Sequence, residues 1–99
     1  MPAVTGPTWD QEKHARNLVR GRMGFDEAAT VLEDPRRVEW QDREHSGGED
    51  RFVTVGISIR GRFALVVTAY DLEGRIRVIS ARRPTRRERH AYETGIPLE

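Results

Sequence analysis

The 99-residue sequence has no cysteine, so neither a disulfide framework nor a thiolate metal site can be built from it. Its longest unbroken apolar run, Phe63 to Val67, falls far short of a membrane span. The N-terminal residues lack the charged-then-apolar order of an export signal. There is no Gly-rich phosphate loop, no Gly-x-Ser-x-Gly elbow, and no His-x-His or His-x-x-x-His spacing. The enzyme classes, metals and cofactors that depend on those patterns are therefore not expected. Lysine is scarce as well: sixteen of the seventeen basic residues are arginine, with Lys13 the exception. These absences together point to a cytoplasmic protein with no membrane role.

What is present is polar but patterned. The hydrophobic share is 36% and the charged share 33%, which is low for a globular core yet too periodic for disorder. A chain of this size buries only about 60–65% of its unfolded surface, so the core is thin. The net charge of +1 hides an uneven distribution: residues 1–59 carry −3, residues 60–90 carry +6 and residues 91–99 carry −2. A GC-rich genome explains many arginines but not their concentration in one stretch. A phosphate-rich partner does, because guanidinium bonds phosphate oxygens bidentately.

Residues 1–8, with two prolines and a glycine, read as a loose leader. Asp10 is placed to cap a helix whose apolar stripe is Ala15, Leu18 and Val19, and Gly21 ends it. Phe25, Ala28, Ala29 and Leu32 predict a second helix over Phe25 to Asp34, stopped by Pro35. The period then changes to alternation. Strands are expected around Val38 to Trp40, over Val53 to Ile59, Arg62 to Tyr70 and Arg75 to Ala81, with a polar loop from Asp42 to Asp50. The continuous run Ala64 to Val67 marks a central strand covered on both faces. Thr85-Arg86-Arg87-Glu88 is a capping box opening a last helix that Gly95 closes. The expected fold class is α+β in the order ααββββα: two N-terminal helices, a four-stranded antiparallel meander and a C-terminal helix, with the helices on one face. One domain over residues 9–95 with a tail at 96–99 accommodates all of these.

Chemistry concentrates in the arginines. Arg86, Arg87 and Arg89 sit at the start of the last helix, where the macrodipole makes each cation unfavourable by roughly 0.3–1 kcal/mol. Such a cluster suits an anion site better than a stability role, although a solvated helix face is the plain alternative. Arg75 and Arg77 project from one side of the fourth strand, Arg82 and Arg83 follow it, and Arg62 begins the neighbouring strand. Trp40, Phe52 and Tyr70 read as packing residues. His14 and His90 read as solvated. His45, beside Asp42, Glu44 and Glu49, is a candidate proton-transfer group or metal ligand.

The order and spacing of several segments over residues 9–93 resemble the BrnT family of type II toxins. The segments are Trp9-Asp10 with Lys13 and Asn17-Leu18; Phe25 through Val31; Asp34-Pro35; His45-Ser46 with Glu49 and Arg51; Gly61-Arg62; Arg77 through Arg82; and Thr85 through Arg89 with Tyr92-Glu93. The resemblance implies a RelE-like fold and a ribonuclease that arrests translation. It also implies neutralisation by a BrnA-like ribbon-helix-helix antitoxin, through which alone the operator DNA is met. The RelE-like cleft would be lined where Arg62, Arg77, Arg82 and Glu88 fall. Two departures stand out: Arg20-Gly21-Arg22 where the family often has Lys-His-Gly, and Asp71-Leu72-Glu73 where it often has Thr-Glu-Arg.

The expected activity is a metal-independent endoribonuclease in which the RNA 2′-hydroxyl attacks the phosphodiester. That reaction needs positive charge on the phosphorane, for which Arg62, Arg77 and Arg82 are candidates, and proton transfer, for which His45 is favoured over Glu88. Arg75, Arg83, Arg86, Arg87, Arg89 and Lys13 are candidates for RNA binding, and no metal or cofactor site is assigned. A non-catalytic RNA-binding module and a structural half of a DNA-binding repressor complex are the alternatives.

Overall fold

The structure is a computed structural model and describes residues 6–98. It contains β1 (Thr8–Trp9), α1 (Gln11–Val19), α2 (Phe25–Val31), β2 (Val38–Gln41), a 3₁₀ turn (Arg43–His45), β3 (Arg51–Ile57), β4 (Phe63–Tyr70), β5 (Ile76–Arg82) and α3 (Arg86–Thr94). The α+β class is as expected, but the order and strand number are not. The sheet has five strands in the order β1-β5-β4-β3-β2. Strands β2 to β5 form the antiparallel meander, while β1 lies parallel to β5 through Thr8↔Arg77 and Trp9↔Val78. The sheet is therefore mixed. The loose leader was expected to run to Thr8, which instead begins the edge strand; residues 1–5 of it lie outside the described residues.

The helix ends follow local chemistry. Asp10 accepts from the backbone N–H groups of Glu12 (2.8 Å) and Lys13 (3.2 Å), which leaves two of the four orphan donors of α1 satisfied. Thr85 and Glu88 form the full capping box of α3, and Gly95 ends it at φ 72°. The N-cap of α2 is Gly24, which has no side chain to offer. His14 takes over: its Nδ1 accepts from Phe25 N–H at 2.9 Å. The expectation of a solvated His14 is thus corrected, since its side chain is only 18% exposed and it joins α1 to the start of α2.

The sheet has two apolar faces, and both are used. Phe25, Ala28 and Val31 of α2 pack on Ala64, Val66, Val78 and Ala81, with Trp9, Met23 and Leu32 at the margin. On the opposite face Val53, Val55 and Leu65 pack with Trp40, Val67 and Tyr92 of α3. The helices do not share one face as expected. The alternate residues of β4 are apolar on both sides, with Ala64 and Val66 facing α2 and Leu65 and Val67 facing α3, so one helical layer would leave half of them wet. Central β4 reads in the sequence as doubly covered for the same reason.

Strand β3 also ends earlier than its alternation suggests. Ser58 accepts from the N–H groups of Arg60 and Arg62 (3.2 Å each), and Gly61 takes φ 80°. This turn carries Ile59 outward, where it is 82% exposed.

Candidate active site

Cross-strand register builds the site. Arg51 of β3 pairs with Ala69 of β4, and Ala69 pairs with Arg77 of β5. All three lie on the α3 side of the sheet, since side chains alternate along each strand and Val53, Val67 and Leu65 belong to that face. Asp42 extends the row beyond Arg51, its N–H donating to Arg51 O at 2.8 Å. Two guanidinium-bearing strands thus flank a central alanine, whose methyl leaves a low floor between them.

Asp42 also organises the following loop. Its carboxylate accepts from His45 N–H (3.3 Å) and contacts His45 Nδ1 through both oxygens, at 3.1 and 3.0 Å. Ser46 Oγ donates to Asp42 O and accepts from Arg51 N–H at 2.9 Å, which ties the 3₁₀ turn to β3. With Nδ1 occupied by Asp42, Nε2 is the ring nitrogen that remains for a substrate. His45, Gly48, Glu49 and Arg51 line an open depression of about 310 Å³. Glu49 reaches across it to accept from Arg77 Nη2 at 2.9 Å.

The other nominated arginines are differently engaged. Arg62 donates from Nε (2.9 Å) and Nη2 to the carboxylate of Glu27 in α2, which directs it to the opposite layer, away from Arg77. Glu27 is 7% exposed and also accepts from Ser58 Oγ at 2.7 Å. The Arg62 hydrogen bond lowers its pKa to about 2, against the upward push of burial. Arg82 lies on the same face as Arg77, paired with Leu65. Its two Nη atoms hold both oxygens of Glu88, at 2.8 and 2.9 Å. Glu88 further accepts from Thr85 N–H at 2.7 Å, and the Arg82 bond keeps its carboxyl below the usual carboxylate range. Every feature of Glu88 therefore serves the start of α3. Arg75 closes its own turn on Asp71 (2.9 Å) and Glu73 (3.2 Å); the residues that depart from the family pattern supply both of its partners.

Arg89 lies over the Phe63 ring, 4.3 Å from its centroid, and the Phe63 and Tyr92 rings meet edge to face at 5.1 Å. Arg83, Arg86 and Arg87 are exposed and make no ion pair among the described residues. Lys13 is exposed on α1, in the layer away from the row. The other departure includes Gly21, an exposed residue at φ 70° just past α1 in that same layer. Arg77 and Arg82 are five positions apart on β5, roughly 17 Å of strand. The exposed Ser80 and half-buried Val67 pair along this open strip. The site thus runs from the His45 turn to the N-terminus of α3. Glu49 and Arg51 were not marked as site residues in the sequence; their signal was the His45-Ser46-x-x-Glu49-x-Arg51 spacing, which gains chemical meaning only once β5 is alongside.

Among the described residues no group of three or more His, Asp or Glu side chains is arranged to hold a metal ion, and no helix is long and apolar enough to cross a membrane.

An arginine-walled strip on a small α+β fold, with a carboxylate-held histidine at one end, is the surface these elements build. A family model described as the ribonuclease toxin, BrnT, of type II toxin–antitoxin systems matches residues 9–88. The chain belongs to this family. No curated protein matches it. Family membership makes it a ribonuclease toxin with a cognate antitoxin.

Proposed function

We propose that this toxin arrests translation by cutting RNA through attack of the substrate's own 2′-hydroxyl, without a metal ion. The observation that carries the reading is His45, held by Asp42 at the end of the Arg51–Ala69–Arg77 row. Arginines cannot lose their protons at any working pH, so the row supplies fixed positive charge to a phosphorane. Histidine is the side chain suited to moving a proton near neutrality. The exposed Arg83, Arg86 and Arg87 extend the hold on the strand. The meander with α3 across one face supports the RelE-like reading of the fold.

Neutralisation falls to a BrnA-like ribbon-helix-helix antitoxin that lays an acidic segment over this strip, operator DNA being met only through that partner. The test is product analysis with purified toxin. Ends bearing 2′,3′-cyclic phosphate, full activity in EDTA and no cutting after a deoxynucleotide support the reading. Activity lost in chelator and restored by magnesium overturns it, as does RNA retention without cleavage, which is the outcome for a non-catalytic binding module.

A further inference from the structure

We infer that Glu49 is the general base of the cleavage reaction and His45 its general acid, with Arg77 holding the carboxylate at the flank of the scissile phosphate. The inference rests on the 2′-hydroxyl reading above.

Its starting point is how the three nominated guanidiniums spend their donors. Arg62 gives Nε and Nη2 to Glu27, and Arg82 gives both Nη atoms to Glu88. In each the planar fork that would grip a phosphate is already closed by a carboxylate. Arg77 gives Glu49 one bond from Nη2, and its other donors have no partner among the described residues. A guanidinium carries five N–H groups, so Arg77 can hold Glu49 and a phosphate oxygen together. The same planar group then fixes the distance between carboxylate and phosphate.

Glu49 is open on its own side as well. Glu27 and Glu88 each accept from several donors, whereas Glu49 has, among the described residues, the single Arg77 contact and a side chain 40% exposed. It lines the same depression as His45 and Arg51. Across the floor, Arg51 and Arg77 stand one strand either side of Ala69, so their Cα atoms are about 10 Å apart, a span that two guanidiniums can close on one phosphate.

The two proton roles follow from charge. A carboxylate bonded to arginine is ionised and can only accept, which suits the 2′-hydroxyl proton. Asp42 takes Nδ1, so the proton that His45 can give to a leaving oxygen is the one on Nε2. In the reaction Glu49 takes the 2′ proton, the 2′ oxygen bonds to phosphorus, the bond from phosphorus to the 5′ oxygen breaks, and His45 protonates that oxygen. The products are a 2′,3′-cyclic phosphate and a 5′-hydroxyl. Glu49 is left protonated and His45 neutral, and solvent exchange resets both.

The deciding experiment uses the full chain and two oligoribonucleotides, alike except that one carries sulfur in place of the 5′-bridging oxygen at the cut site. A thiolate leaves without protonation, so loss of the acid is forgiven and loss of the base is not. Glu49→Gln is expected to lower kcat by about 100-fold or more on both substrates and to remove the acidic limb of the pH profile, with RNA affinity unchanged or tighter. His45→Ala should fall as far on the oxygen substrate and recover to within about tenfold of the parent on sulfur. Glu49→Asp, which keeps the carboxylate, should exceed Glu49→Gln, and both should keep the parent melting temperature. Glu49→Gln activity within about threefold of the parent, recovery of that variant on sulfur, or faster cutting once Arg77 is released overturns the assignment. A 2′-deoxy control separates the two levels: cleavage there defeats the 2′-hydroxyl reading itself, whereas a correct deoxy block with a wrong rescue pattern defeats only the roles of Glu49 and His45.

Discussion

Replacing Arg62 by glutamine removes the partner of a carboxylate that has nowhere else to go. Glu27 is nearly fully buried under the β3–β4 turn and keeps only Ser58 once the guanidinium is gone. The interaction holds its pKa at about 2 in place of 4.5, a difference corresponding to about 3 kcal/mol of preference for the ionised form. Arg62 is half-exposed, with 51% of its side chain accessible, and solvent screening reduces the figure to about 2 kcal/mol. For a chain of this length that is a fall of about 10 °C in melting temperature. The pH dependence is the sharper signature. Folding lowers this pKa, so the contribution is complete above pH 4.5, the ordinary value, and is lost as pH falls through about 2. The gap between parent and Arg62→Gln, read from urea midpoints, should be about 2 kcal/mol at pH 7 and about 1 kcal/mol at pH 3. A gap that stays constant between those pH values, or one below about 0.5 kcal/mol at pH 7, refutes the reasoning. A variant of unchanged stability that no longer cuts RNA would return Arg62 to the reacting centre.

Thr85→Ala removes the acceptor for Glu88 N–H, at 3.2 Å, and half of the capping box; urea denaturation should show a loss of about 1 kcal/mol. A Cβ at Gly56 would meet Asp34 Oδ2 and Val31 Cγ1, both at 3.1 Å. Gly56→Ala should therefore cost about 1–3 kcal/mol by calorimetry. It should also lower the titration of Tyr92, whose hydroxyl is held above 10 by burial and by its bond to Asp34. His14→Leu keeps an apolar body beside Trp9, 6.1 Å away ring to ring, but takes the acceptor from Phe25 N–H. A loss of about 1 kcal/mol and faster hydrogen exchange at that amide are expected; unchanged exchange would show that the cap is not used.

Features that depend on neighbouring residues were legible in the sequence. The capping box and Gly95 bound α3 between Thr85 and Gly95, and the apolar run of β4 announces a strand with no wet face. Strand β1 was not legible, because two residues cannot express a period of two. Nor was the side on which α3 lies, since a connection such as Arg83-Pro84 permits either face and only the apolar row of Val53, Val55 and Leu65, opposite α2, decides it. The arginines show the same limit more plainly. Their concentration is visible along the chain, but Glu27 and Arg62 are 35 positions apart and Glu49 and Arg77 are 28 apart. Which guanidinium is closed and which is open is settled by tertiary pairing. His45 was found by its acidic neighbours, yet its placement needed Ser46 to tie the loop to β3.

The arginines in and just before the last two strands carry much of their own neutralising charge. Arg62, Arg75, Arg77 and Arg82 face Glu27, Asp71 with Glu73, Glu49 and Glu88 respectively. A strand of RNA sheds its condensed cations only where the protein brings uncompensated positive charge, at a log–log slope of roughly −0.7 for each phosphate neutralised. On the proposed RNA reading, the salt slope of capture should follow the arginines without an ion pair among the described residues, Arg83, Arg86 and Arg87 at the head of α3 with Arg51 and Arg89, rather than the full number of guanidiniums along the strip. On that reading, attraction from a distance falls mainly to the head of α3 and grip at the cleavage point to the other end of the same surface, so that ionic strength would tune how often RNA arrives more than what meets it there.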